Sequence, residues 1–160
     1  MWLLCCLPLF ALLAGCATEN RTRTAGELLP NCADLSANSA GPFSAERHYE
    51  QMVACAKNQR FAEASFHYAS AGVRTWYDYL LTPGSASKER HHTQLRKQLT
   101  SLTEDEKQQF WSALYAILRD PQSRRQLCSR IATVPVDTEA VILWNKAQVG
   151  SLHCEVNPMF

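Results

Sequence analysis

Glycine is scarce in this chain, six residues in 160, and no glycine-rich loop is placed to cradle a phosphate. The motifs G-x-S-x-G and H-E-x-x-H are both missing, so an activated-serine hydrolase and a zinc protease have no starting point. No stretch of useful length alternates apolar with polar residues, and there is no glycine-rich hairpin turn, which argues against a β-sheet. Charge of one sign is also lacking: 16 Lys and Arg face 15 Asp and Glu, a formal net charge of +1. Bulk electrostatics therefore gives no pull toward nucleic acid, and none is expected as a partner. Close cysteine pairs of the C-x₂₋₄-C kind, which a four-cysteine zinc site needs, are absent, so no metal or other cofactor is expected.

Long apolar runs are missing too, with one exception. Trp2 to Ala14 carries no charge. At roughly thirteen residues it is too short to cross a ~30 Å hydrocarbon core as a permanent helix. Its length and composition fit the h-region of a secretory signal, closed by small residues. The run ends in Leu13-Ala14-Gly15-Cys16, which resembles the lipobox of bacterial lipoproteins. The chain departs from that family in having no Lys or Arg ahead of the run. The resemblance implies residues 1–15 as a signal peptide and a mature chain beginning at Cys16, with acyl chains on its thiol and amine. By the sorting rule of enterobacterial lipoproteins, Ala17 after the lipidated cysteine implies the outer membrane, facing the periplasm.

Of seven cysteines, Cys5 and Cys6 would leave with the signal and Cys16 would carry lipid. Cys32, Cys55, Cys128 and Cys154 remain, and an even count in an exported chain reads as two disulfides. Four cysteines allow three connectivities. The gaps of 23 and 26 residues suggest Cys32–Cys55 and Cys128–Cys154.

Residues 16–43 read as a polar tether, too poor in apolar area to order itself, with Cys32 as its one point of attachment. Residues 44–160 read as an all-α domain of about six short antiparallel helices in one small bundle. Ser44 is a plausible N-cap, and Tyr49, Met52, Val53 and Ala56 recur at helical spacing. After a break at residues 57–60, Phe61 to Leu81 is apolar on two faces, as expected of a central helix. One face is Phe61, Ala64, Tyr68, Ala71 and Trp76; the other is Ala62, Phe66, Ala69, Val73, Tyr77 and Leu80. Pro83-Gly84 stops that helix. Ala86 to Leu102 is a thinner helix, and Thr103 with Glu106 forms a capping box for the next. Asp120-Pro121 restarts the chain, as N-cap and first helical residue. A last helix spans Thr138 to Gln148, with Gly150 as its C-cap.

The segment Gln59 to Ala64, with Tyr68 and Ala71, resembles the second half of a tetratricopeptide hairpin, where small residues let two helices approach. The match covers about one repeat. Met52 stands where that family has a small residue, Trp76 stands where it has Pro, and no second copy follows at a period near 34. An isolated helix pair is therefore expected rather than a solenoid. In size, anchor, helicity and cysteines the chain is also similar to pilotin lipoproteins, which escort secretin subunits.

Five histidines are present, at 48, 67, 91, 92 and 153. They lack metal-ligand spacing and are expected at exposed or capping positions. From Lys88 to Arg130 nine basic residues meet five acidic ones, net +4. Lys88, Arg90, Arg96, Lys97, Arg124 and Arg125 are thus candidates for a basic face that docks an acidic partner or anionic head groups. No catalytic residue is expected. The sequence points to a periplasmic, lipid-anchored protein-binding accessory factor of an envelope machine. An immunity lipoprotein is the rival of the same chemistry. A cell-wall or lipid hydrolase is the rival from another class, which a partly buried His–carboxylate pair lining a cleft would bring back.

Overall fold

The computed structural model describes Cys32 and residues 44–84, 87–132 and 140–155. The apolar run, Cys16, Ala17 and all of the tether except Cys32 lie outside the described residues, as does the predicted start of the last helix at Thr138. Six helices and no strand make up the described part: α1 (Ala45–Lys57), α2 (Phe61–Leu81), α3 (Ser87–Leu99), α4 (Glu104–Arg119), α5 (Pro121–Ala132) and α6 (Val141–Leu152). None is long and apolar enough to cross a membrane.

Local chemistry accounts for most boundaries. The Ser44 hydroxyl accepts from the Arg47 N–H and opens α1. Thr103 and Glu106 bond each other's backbone N–H groups and open α4, a complete capping box. The Asp120 carboxylate accepts from the Ser123 N–H at 2.7 Å and opens α5. Pro83 and Gly84 close α2, with Gly84 at φ +84°, a conformation glycine adopts without a Cβ clash.

Two boundaries differ from expectation. The thin helix stops at Leu99 rather than Leu102, because the Thr100 and Ser101 hydroxyls donate to the carbonyls of Lys97 and Gln98 and tighten the turn. That turn drops Leu102 into the core, 4 % exposed. Gly150 is not a C-cap. The last helix runs on to Leu152, and His153, at φ +53°, takes the left-handed capping position. Gly150 instead lies against the Trp76 ring: a Cβ built there would sit 3.5 Å from it.

Helix α2 packs against each of the other five, most extensively against α1 and α6. Its two faces feed two separate cores. Phe61, Ala64, Tyr68 and Ala71 join Tyr49, Met52, Val53 and Ala56 of α1, Leu95, Leu99 and Leu102, and Phe110, Trp111 and Leu114 of α4. Phe66, Ala69, Val73, Tyr77 and Leu80 join Leu127 and Ile131 of α5, and Leu143, Trp144 and Ala147 of α6. Leu118 touches both. Trp76 belongs to the second core rather than the first, and Ala62 is exposed rather than packed. Each large side chain fully buried in such a cluster stabilises by about 1.5–3 kcal/mol.

Two disulfides staple the fold, the first of them inside the first core. Cys32 is bonded to Cys55 and Cys128 to Cys154, with Cα–Cα distances of 4.5 and 5.8 Å. Cys32 is 4 % exposed, and the Arg60 guanidinium donates to its carbonyl at 3.0 Å. The tether is therefore held against the α1–α2 pair at this point.

Candidate functional site: a neutral aromatic groove beside buried histidines

Where α2, α3 and α6 meet, Gly72 lets the helices come close: a Cβ on it would lie 2.9 Å from the Ser151 Oγ. The half-open groove beside this contact has a volume of about 370 Å³. Tyr68 and Trp76 of α2, His91 and His92 of α3, Leu118 of α4 and Leu152 of α6 line most of it. Thr75 and Ser151 add two hydroxyls, and among the described residues no carboxylate, Lys or Arg lines it. Three of these rings, Tyr68, His91 and His92, belong to one chain of ring contacts. Tyr68 meets Trp111 edge-on at 5.6 Å between centroids and Phe110 at 6.0 Å, and His91 packs on Tyr68, Tyr49 and His92.

Behind the groove is a polar layer between α1, α2 and α3. The Tyr49 hydroxyl is hydrogen-bonded to His91 Nδ1. Burial pushes the Tyr49 phenol above its ordinary range, with the neighbouring Tyr68 adding to the effect. Burial, and then His92, lowers His91, which is therefore a neutral acceptor near pH 7. Deeper still, His48 and His67 face each other across the α1–α2 contact, Nδ1 to Nδ1 at 3.2 Å. They are 3 % and 1 % exposed. One Nδ1 must carry a hydrogen and donate while the other accepts, so the two rings hold complementary tautomers. Desolvation first, then His67 and Arg74, push His48 down to about 3.

The histidines thus depart from the expectation of exposed or capping positions in a specific way. His92 is exposed and His153 is a cap, but His48 and His67 are core residues and His91 is half-buried. The signal available in sequence was helical spacing: His48 precedes Tyr49 on α1, and His67 lies one residue before Tyr68 on α2. Both sit at the edge of an apolar stripe, where burial is decided by the partner helix. Among the described residues no group of three or more His, Cys, Asp or Glu side chains is arranged to hold a metal ion.

The six basic candidates fall on two helices. Arg90, Arg96 and Lys97 are on α3, which packs on α1 and α2; Arg124 and Arg125 are on α5, which packs on α2, α4 and α6. The Lys88 side chain lies outside the described residues. Arg90 lines a small groove that also holds Glu46 and Asp78. Arg124 and Arg125 line a different groove, against α6 and the Cys128–Cys154 bridge. Ala64 and Ala71, which carry the tetratricopeptide resemblance, are fully buried in the α1–α2 core together with Met52.

Comparison of the chain with protein-family models, with curated proteins and with solved structures finds no match.

Proposed function

We propose that this chain is a lipid-anchored module that binds another protein in the bacterial envelope, at the periplasmic face of the outer membrane, as an accessory or assembly factor. The observation that carries the reading is the groove between α2, α3 and α6. Among the described residues it is lined by four aromatic or imidazole rings and two leucines, with no carboxylate, Lys or Arg. Such a lining suits a large apolar side chain of a partner helix, offered to a rigid pocket with a few hydrogen-bonding groups at its rim. The two disulfides support the compartment, because bonds of this kind persist in the oxidising periplasm. The anchor at Cys16 would supply the rest of the affinity by holding the groove at high local concentration near membrane partners.

The test is site-specific photocrosslinking in intact cells of the source bacterium. The photoreactive residue is placed in the groove at Leu152 or His92, and outside the groove at Ile142 near the start of α6, which is 67 % exposed. One envelope protein captured from the groove positions and not from Ile142 supports the proposal. Equal capture at all three, or none, removes the groove as the recognition site. A Cys16→Ser variant that still labels with a fatty-acid probe would remove the anchor.

A further inference from the structure

A second groove, of about 310 Å³, lies between α5, α6 and the residues after α6. Its composition is the opposite of the first. Arg124 and Arg125 come from α5, Asn145 and Gln148 from α6, and His153 and Glu155 from the segment that follows. His153, in its left-handed conformation, turns the chain back so that Cys154 reaches Cys128, and the disulfide becomes part of the groove wall. The third side of the groove is therefore fixed covalently.

Two polar groups of this wall have no hydrogen-bond or ion-pair partner among the described residues. Gln148 is 3 % exposed as a residue, lines the groove, and has a side-chain amide with no hydrogen bond to a described residue. Arg124 is half-buried and has no ion-pair partner among the described residues. Arg125 is within electrostatic range of Asp120, so of the two arginines Arg124 is the one without a charged partner among the described residues. Arginine, amide and imidazole donors converging on one half-open pocket complement an anion with several acceptor oxygens.

We infer that the groove at the Cys128–Cys154 bridge binds a small anion bearing a phosphate or carboxylate group, held by Arg124 and Gln148. Glu155 at the rim would accept from a hydroxyl or amine elsewhere on the same ligand, which favours a polar organic anion over a bare ion. The volume stands at the lower end of the range for small-molecule sites. The site is independent of the aromatic groove, because no residue lines both.

The experiment is an amide and side-chain NMR titration of the oxidised full chain with inorganic phosphate, glycerol 3-phosphate and succinate, with sodium chloride at matched ionic strength as control. Saturable shifts confined to Ser129, Asn145, the Gln148 side-chain amide and His153 are expected, with glycerol 3-phosphate tighter than phosphate. Arg124→Ala should weaken the binding at least about tenfold, the scale of one lost charge-assisted hydrogen bond. Gln148→Leu should weaken it as well while leaving the thermal midpoint unchanged, because the amide makes no hydrogen bond to a described residue. If Gln148→Leu does not fold, Asn145→Ala provides the same comparison from the other side of the groove. No saturable shift below roughly 10 mM, a concentration at which binding is already weaker than the ~4 kcal/mol of a millimolar site, overturns the inference. So do shifts that chloride reproduces, or affinity that both the Arg124 and the α6 variants leave intact.

Discussion

The two cores sit on opposite faces of one helix and are built on different principles. The first is built on α1 and α2, neighbours in sequence, with Phe110 and Leu114 of α4 closing it, and carries a buried polar layer of His48, His67, Tyr49 and His91 beside its apolar side chains. The second joins α2 to α6, about sixty residues apart, and depends on rings and aliphatics: Phe66, Val73, Tyr77, Ile131 and Trp144. Among the described residues the buried side-chain atoms without a hydrogen-bond partner are the Ser70 hydroxyl of α2 and the Trp144 indole N–H of this second core. Local contacts form at a low entropic cost and can carry polar cargo. Distant contacts must first offset loop closure, and apolar burial is the most direct way to do so.

The largest effect should come from emptying either core. Phe110→Ala in the first and Ile131→Ala in the second should cost about 3–5 and 2–5 kcal/mol, measured by urea unfolding. Because α2 and Leu118 belong to both cores, each variant should still unfold in one transition seen alike by far-UV circular dichroism and tryptophan fluorescence. Two transitions would show that the cores are separable units.

Next in size are the staples. Cys32→Ser with Cys55→Ser, and Cys128→Ser with Cys154→Ser, open loops of 23 and 26 residues. The chain-entropy model assigns each about 3 kcal/mol, so the two double variants should lose nearly equal stability. A loss confined to one pair would mean that the other closes a loop already ordered without it.

Acid should separate the cores. His48 titrates near 6.5 when unfolded and near 3 when folded. Between those values the unfolded state holds the extra proton. Its contribution is therefore complete above pH 6.5 and shrinks as pH falls toward 3, by up to about 1.4 kcal/mol per unit. His91, lowered in the same direction, adds to this loss. Tyr49 acts at the other limit: its raised phenol gives stability that is complete below its ordinary value of 10.0 and is lost as pH rises beyond it. Hydrogen exchange at pH 5 should loosen α1 before α6, and His48→Gln should flatten the acid slope of urea melts. An unchanged slope in that variant would assign the acid limb to other groups.

The smallest test concerns Gly150. Inside a helix, with a Cβ at ordinary contact distance from Trp76, Gly150→Ala should stabilise by roughly 0.5–1 kcal/mol. A destabilising result would mean that the position needs the left-handed conformation of a C-cap after all.

Much of this architecture was legible in the residues. Ser44, the Thr103–Glu106 box and Asp120-Pro121 each place a helix start by satisfying N–H groups within three residues, an interaction that depends on nothing distant. The double apolar face of Phe61 to Leu81 announced a central helix, and the two short cysteine gaps matched the observed bridges. The aromatic groove was not legible, because Tyr68, Trp76, His91 and Leu152 come from helices whose relative placement no local pattern encodes. The same holds for the basic residues: their spacing gave six candidates, while packing put those of α3 and α5 on different helix neighbours.

By itself, then, the sequence determined the helices, their caps, the staples and which helix is central, since each follows from interactions that reach one or two turns along the chain. The tertiary structure alone decided which histidines are buried, that Gly150 faces Trp76 rather than ending a helix, and that Arg124 and Gln148 line one groove walled by a disulfide. Those outcomes depend on which surfaces of separate helices meet, and burial, pKa and unpaired polarity are properties of that meeting.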